Sequence, residues 1–211
     1  MVSTTLLETI FNSYTPWILL WNKNKEQNSF EPEAHQSLAD SEPLLNIIYE
    51  LHRFNYLLWN QEDIARRTDV AESVIVSVKR NIDKYNQQRN DRIEQVDEWL
   101  LINHYGHLLN ADLPIRTETP GSVFDRLSIL SLKIFHMQKQ TERTDVEQEH
   151  IIKCEQRLQT LQLQRSDLQK ALMLMFRDLN EEKLKMKIYR QFKMYNDPTM
   201  NPQLYMNASQ K

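Results

Sequence analysis

The sequence predicts an all-α protein, an antiparallel helical bundle that ends in one long heptad-patterned helix. Three observations predict it. Only two glycines, Gly106 and Gly121, occur in 211 residues, whereas sheets joined by tight turns use glycine freely for positive φ. Apolar residues recur at steps of three and four along most of the chain, the period of a half-buried helix. From residue 144 to 195 neither proline nor glycine interrupts that period.

Residues 1–42 are expected to hold an amphipathic helix and a polar loop. Leu6, Leu7, Ile10, Phe11 and Tyr14 recur at helical spacing over residues 3–22, with a kink or interruption expected at Pro16. Its Trp17–Trp21 end reads as a face docked on the bundle, or as a membrane-surface or partner-binding segment. Residues 23–42 are polar and aperiodic, a loop. The bundle domain spans 43–195. Its first helix starts at Pro43, a residue suited to the first helical turn, and runs to Arg67 with Leu44, Ile47, Leu51, Phe54 and Leu58 as its stripe. A second covers Ala71 to Asn103 through Ile75, Val78, Ile82, Ile93, Val96 and Leu100. After a connector, Thr119 or Ser122 caps a third helix with Pro120 at N1, continuing through Leu127, Leu130 and Ile134. The last helix is predicted over Thr144–Tyr195, with Ile151, Cys154, Leu158, Leu161, Arg165, Leu168, Leu172, Met175, Leu179, Glu182, Met186 and Tyr189 as its heptad seam. It would be roughly 70 Å long at the α-helical rise. Residues 196–211 read as a flexible tail, and no internal repeat is apparent.

Composition excludes several classes. A formal net charge of -3 offers no global basic field for nucleic acid. The single cysteine, Cys154, rules out an intramolecular disulfide and a cysteine metal cage, and at a seam position it reads as a small hydrophobe. No basic segment followed by a long apolar run opens the chain, and Trp17–Trp21 falls far short of the ~20 apolar residues of a membrane span. The expected compartment is the cytoplasm.

Chemistry is sought where polar residues occupy positions the helical period reserves for apolar ones. His52, Asn55, Trp59, Glu62 and Arg66 follow steps of three and four. In the second helix Arg89 falls in mid-arc, with Asn86, Asn90 and Asp97 along one edge and Glu94 slightly further out; in the third, Asp125, Arg126, Lys133 and His136 share a side. Buried unpaired charge costs several kcal/mol per ion, of the order typical of buried ions, so these groups meet one another, a ligand or water. Three readings stand: a register-fixing internal network, an inter-helix pocket, or a solvated face. As a pocket, Arg66, Arg89, Arg126 and Lys133 suit a phosphorylated or otherwise anionic small molecule. Glu62, Glu94 and Asp97 suit Mg²⁺ or a general base, Trp59 a wall, and His52 and His136 acid–base groups or satisfied side chains. The alternative is an interaction or scaffold protein using the long terminal helix to form a homodimer or bind a helical partner.

Glu94-x-x-Asp97 resembles one acidic motif of the all-helical nucleotide pyrophosphohydrolases, which bind magnesium through paired motifs; the other pair here, Asn60-x-x-Asp63, lacks a carboxylate. A wider resemblance rests on Leu51–Trp59 (LHRFNYLLW), Glu62–Arg67 (EDIARR), Asn86–Asp91 (NQQRND), Ile93-Glu94, Asp97 and Glu118–Leu130 (ETPGSVFDRLSIL), running on to Lys133 and His136. Their order and spacing resemble an uncharacterised bacterial family, the domain of unknown function numbered 4254, over roughly 45–190. The resemblance implies no activity. It implies that the polar residues named above act together.

Overall fold

In the computed structural model, which describes residues 1–26 and 42–208, the described residues hold six α-helices and no strand. They are α1 (Thr4–Glu26), α2 (Pro43–Ala65), α3 (Glu72–Leu100), α4 (Pro120–Thr141), α5 (Gln148–Asn180) and α6 (Pro202–Ala208). A π turn over Leu101–Tyr105 and a 3₁₀ turn over Gly106–Leu108 follow α3. Most of the expected 23–42 loop lies outside the described residues, and α1 itself extends through residues 23–26. The helix is not interrupted at Pro16. Pro16 and Asn12 are both exposed, so the carbonyl that loses its amide partner there faces water.

The bundle is built from two antiparallel hairpins, α2–α3 and α4–α5, and they are copies of one unit. Each turns through the same four residues, Arg67-Thr68-Asp69-Val70 and Arg143-Thr144-Asp145-Val146. In both, the arginine grips the aspartate two residues on with paired bonds, at 3.0 and 2.7 Å in the first and 3.0 and 2.8 Å in the second. Residues just before and after the turns share backbone angles: Arg66 and Glu142 close α2 and α4 near φ -90, and Ala71 and Glu147 open α3 and α5 extended. The offset between the copies is the 76 residues that separate His52 from Ser128, which bond to each other across α2 and α4. Gln88-Arg89-x-Asp91 repeats at the same offset as Gln164-Arg165-x-Asp167. The chain thus contains the internal repeat its sequence was expected to lack; divergence on the helix faces hides it everywhere except at these two motifs.

Helices α2 and α4 run side by side and meet through His52–Ser128, Asn55–Asp125 and Trp59–His136. α1 lies parallel to α2, in contact with α2, α4 and α5, its Trp21 indole donating to Tyr49 at 3.0 Å and its Asn22 accepting from Tyr56 at 2.9 Å. Trp17 and Trp21 are buried in an aromatic cluster with Tyr49, His52 and Tyr56. The Arg165 guanidinium on α5 reaches the Phe11 carbonyl at 2.6 Å.

The long terminal helix stops at Asn180, not at Tyr195. Glu182 takes the left-handed conformation (φ 54). The Lys183 amide donates to the Asp178 carbonyl and the Glu182 amide to the Leu179 carbonyl, the Schellman closure of a helix end. Beyond it the chain is extended, with Leu184 and Met186 buried and Lys183 and Lys187 exposed; the Lys185 amide donates to the Pro114 carbonyl at 2.9 Å. The alternation Lys-Leu-Lys-Met-Lys has the period of two that an extended segment buries on one side. A glycine at the Glu182 position would adopt that conformation without the roughly 1–2 kcal/mol an L-residue incurs, partly offset by its own backbone entropy. Glu182→Gly is therefore expected to raise unfolding stability by up to about 1 kcal/mol in urea denaturation. A loss on substitution would mean that the exposed 3.3 Å contact of Glu182 with His107 outweighs the backbone strain.

Candidate functional site

Beneath the seam of α2, α3 and α4 lies a chain of buried polar groups whose donors and acceptors can be assigned in order. His52 Nε2 faces the Tyr14 carbonyl at 3.1 Å, an acceptor only, so Nε2 carries the proton. Nδ1 therefore accepts, from the Ser128 hydroxyl at 2.7 Å. Ser128 Oγ accepts in turn from Asn55 Nδ2 at 2.9 Å, and the same amide donates to Asp125 Oδ1 at 2.8 Å. Burial lowers the His52 pKa to about 3, against the smaller raising effect of the Tyr14 carbonyl, so the ring is neutral. His52 and Ser128 are fully enclosed, which makes this network a fastening among α1, α2 and α4, with no route for substrate to either group.

The network surfaces at Asp125. Burial raises its pKa, opposed by Arg89 and by the Asn55 bond. Arg89 approaches it across α3 and α4 with Nε 4.0 Å from Oδ1, close enough for charge attraction and too far for a hydrogen bond. Arg89 Nε is buried and has no hydrogen-bond partner. Outside this pair opens a cleft of about 340 Å³ lined by Asn55, Trp59, Glu62, Asp63, Arg66, Asn86 and Arg89, with Leu58, Ile129 and Leu132 as its apolar part. Glu62 and Arg66 pair one turn apart at 2.7 Å, largely exposed.

Trp59 is the wall between this cleft and a larger one of about 680 Å³, which it shares with Asp63. The second is lined by Lys133, His136, Met137 and Gln140 of α4 and by Gln156, Arg157, Thr160 and Leu161 of α5. The His136 ring stacks on Trp59, centroids 4.5 Å apart and planes at 4°. Burial lowers its pKa, against the raising effect of Asp63, and its Nε2 is buried with no partner.

The structure thus groups Asn55, Trp59, Glu62, Arg66, Asn86 and Arg89 around one cleft and Trp59, Lys133 and His136 around its neighbour. It places others elsewhere. Arg126 pairs with Glu118 at 2.6 Å and lines a separate groove between α4 and α5 together with Lys133. Asn90 is buried in α3. Glu94 holds the extended segment after α5, accepting from Arg190 at 3.0 Å and from the Gln191 amide at 2.8 Å. Asp97 accepts the Gly121 amide at 2.8 Å at the start of α4; burial lifts its pKa to about 7, against the lowering bonds from Thr119 and Gly121. Among the described residues no group of three or more His, Cys, Asp or Glu side chains is placed to hold a metal ion. The expected set of Glu62, Glu94 and Asp97 is therefore not assembled, because each carboxylate is engaged by a different part of the chain. Sequence reasoning missed Ser128, one turn beyond Asp125 on the inward face, and the α5 residues Gln156, Arg157 and Thr160, which belong to the polar flank of the heptad helix.

Two helical hairpins joined through a polar seam, with open clefts on either side of a Trp–His stack, define a duplicated helical-bundle protein. The chain belongs to the family described as "Protein of unknown function (DUF4254)", whose family model matches residues 45–188. No curated protein and no solved structure matches the chain. No helix among the described residues is long and apolar enough to cross a membrane.

Proposed function

We propose that the protein binds an anionic small molecule in the cleft among α2, α3 and α4. Arg89, with Arg66, receives the anionic group, and Trp59 forms the wall. Lys133 and His136 extend the site into the neighbouring cleft. The observation that carries this reading is the buried, unpartnered Nε of Arg89. A desolvated guanidinium donor without an acceptor costs on the order of 1–3 kcal/mol, which an oxygen of a ligand would recover. The duplication supplies a precedent within the chain. Arg165, the counterpart of Arg89, donates through Nη2 to the Phe11 carbonyl of α1, while its Nε, like that of Arg89, is buried without a partner. α1 contacts α4, α5 and α2, and the Arg89 cleft is lined by the corresponding α2, α3 and α4. Where one copy of the arginine meets a backbone oxygen, the other meets an open cleft.

Beside the arginines stand the carboxylates Glu62 and Asp63 and the amide of Asn86, acceptors for hydroxyl groups. An anionic group carried on a polyhydroxy body, as in a sugar phosphate or nucleotide sugar, satisfies both sets. The heptad seam that would serve a scaffold protein is spent within the chain: Cys154, Leu158, Leu172 and Leu179 of α5 are buried, with α4 and α1 packed against that helix.

A thermal-shift screen with inorganic phosphate, nucleotides, sugar phosphates and nucleotide sugars tests the reading. A ligand at a hundred times its Kd stabilises by about 2.7 kcal/mol. Arg89→Met is expected to weaken that ligand at least tenfold, the loss of one charge-assisted bond. Arg89→Lys, which keeps the charge and loses the planar fork, is expected to weaken it less. No shift from any member of the panel, or a shift unchanged in both folded variants, would remove the cleft as the site.

A further inference from the structure

Independently of the cleft, we infer that the segment from Lys183 to Met206 is a docking surface for an anionic lipid bilayer. The charge along the chain is unevenly placed. Net charge is -3 overall, yet Lys183–Tyr195 carries Lys183, Lys185, Lys187, Arg190 and Lys193 with no carboxylate. One of the five is turned inward: Arg190 clamps Glu94 at 3.0 Å and Glu98 at 2.5 Å on α3. Lys193 reaches the Asn86 carbonyl at 3.4 Å. These contacts, with buried Leu184 and Met186, fix the segment along the bundle and set its other side outward. Lys187 is exposed on that side and Lys185 partly so, while Lys183 is exposed but paired with Glu181.

The same segment holds the densest run of exposed large apolar side chains among the described residues. Phe192 is 84% exposed, and Tyr189, Met194, Tyr195, Met200 and Met206 are also exposed. A phenylalanine left in water forgoes about 1.5–3 kcal/mol of burial. Lysines beside exposed aromatics suit the boundary between headgroups and acyl chains, where each basic residue near an anionic surface contributes about 1 kcal/mol. A single-stranded nucleic acid shares the affinity for cations and aromatic rings. It has no use for the methionines at 194, 200 and 206, whose thioether chains add to acyl burial and do not form stacking platforms. The bilayer is therefore the occupant the composition favours.

The test is flotation of the full chain with vesicles of phosphatidylglycerol mixed with phosphatidylcholine, and with vesicles of phosphatidylcholine alone. The chain is expected to float with the anionic vesicles at low salt, to be released at high salt, and to stay behind with the neutral ones. Phe192→Ser is expected to weaken binding roughly tenfold, and the pair Lys185→Glu with Lys187→Glu to abolish it. Phe192 and Lys187 are exposed and Lys185 partly so, and circular dichroism of each variant checks that the helices persist. The inference is overturned by no flotation with anionic vesicles, by equal flotation with neutral ones, or by binding that folded variants leave unchanged. Tighter retention on single-stranded DNA than on anionic vesicles also overturns it.

Discussion

Gly121→Ala is expected to destabilise the protein by on the order of 3 kcal/mol or more, the upper range of overpacking. Gly121 sits in the first turn of α4 where that helix meets α3. A Cβ there would lie 2.3 Å from the Ile93 carbonyl oxygen and 3.1 Å from Asp97 Oδ1. The first contact is with helix backbone, which cannot rotate away, so α3 and α4 must separate. Separation also withdraws the Gly121 amide from Asp97 Oδ1, now at 2.8 Å, and leaves a buried carboxylate without that bond, a further cost of the same kind. Gly106 is the comparison: its added Cβ would meet the Leu101 carbonyl at 3.1 Å, which a shift of a few tenths of an ångström relieves. Urea denaturation of both variants checks the contrast. A loss below about 1 kcal/mol for Gly121→Ala would mean that the helix spacing is not set at this contact.

The same contact shows how far the sequence could be read. Gly121 was legible as part of a helix start, with Thr119 as its cap and Pro120 in the first turn, and those assignments hold. Its role as the close-approach point between helices was not, because that depends on which backbone lies opposite. Of the polar residues placed at inward positions, His52, Asn55, Asn90, Asp97 and Asp125 are buried, whereas Arg66, Arg126 and Lys133 are exposed. Their spacing did not say which partner each meets. Asn55 and Asp125 meet each other, whereas Glu94 and Asp97, both on α3, are satisfied by the segment after α5 and by the start of α4. Two signals were present and unread. Arg-Thr-Asp-Val occurs twice, and Lys183–Ile188 alternates with a period of two at the point where the heptad was extended. The second was masked because Met186 suits a helical seam and an extended strip equally well.

Acidification is expected to cost the protein stability through His52. Its pKa falls from 6.5 in the unfolded chain to about 3 in the fold. Between those values the unfolded state binds more protons than the native one, so the contribution of His52 to stability is present above pH 6.5 and is lost as pH falls towards 3. Over the whole window the loss is on the order of 5 kcal/mol. The physical reason is that an imidazolium would have to keep its charge among Tyr14, Trp17 and Trp21 and would turn Nδ1 from acceptor to donor against the Ser128 hydroxyl. The wild-type curve by itself conceals this. Asp97, lifted from 3.8 to about 7, takes up a proton in the fold before it does so in the unfolded chain, and its contribution grows as pH falls through the same range. Comparison with His52→Gln isolates the histidine, because Asp97 is common to both proteins. At pH 7 the variant is expected to be less stable by about 2 kcal/mol, for the buried bonds it loses. Since only the wild type must charge an imidazole, as pH falls from 6.5 to 4 the gap is expected to close by about pH 5 and to reverse below it, as followed by urea denaturation at each pH. A gap that stays constant over that range would mean that His52 is not held neutral, and that its network tolerates the charged ring.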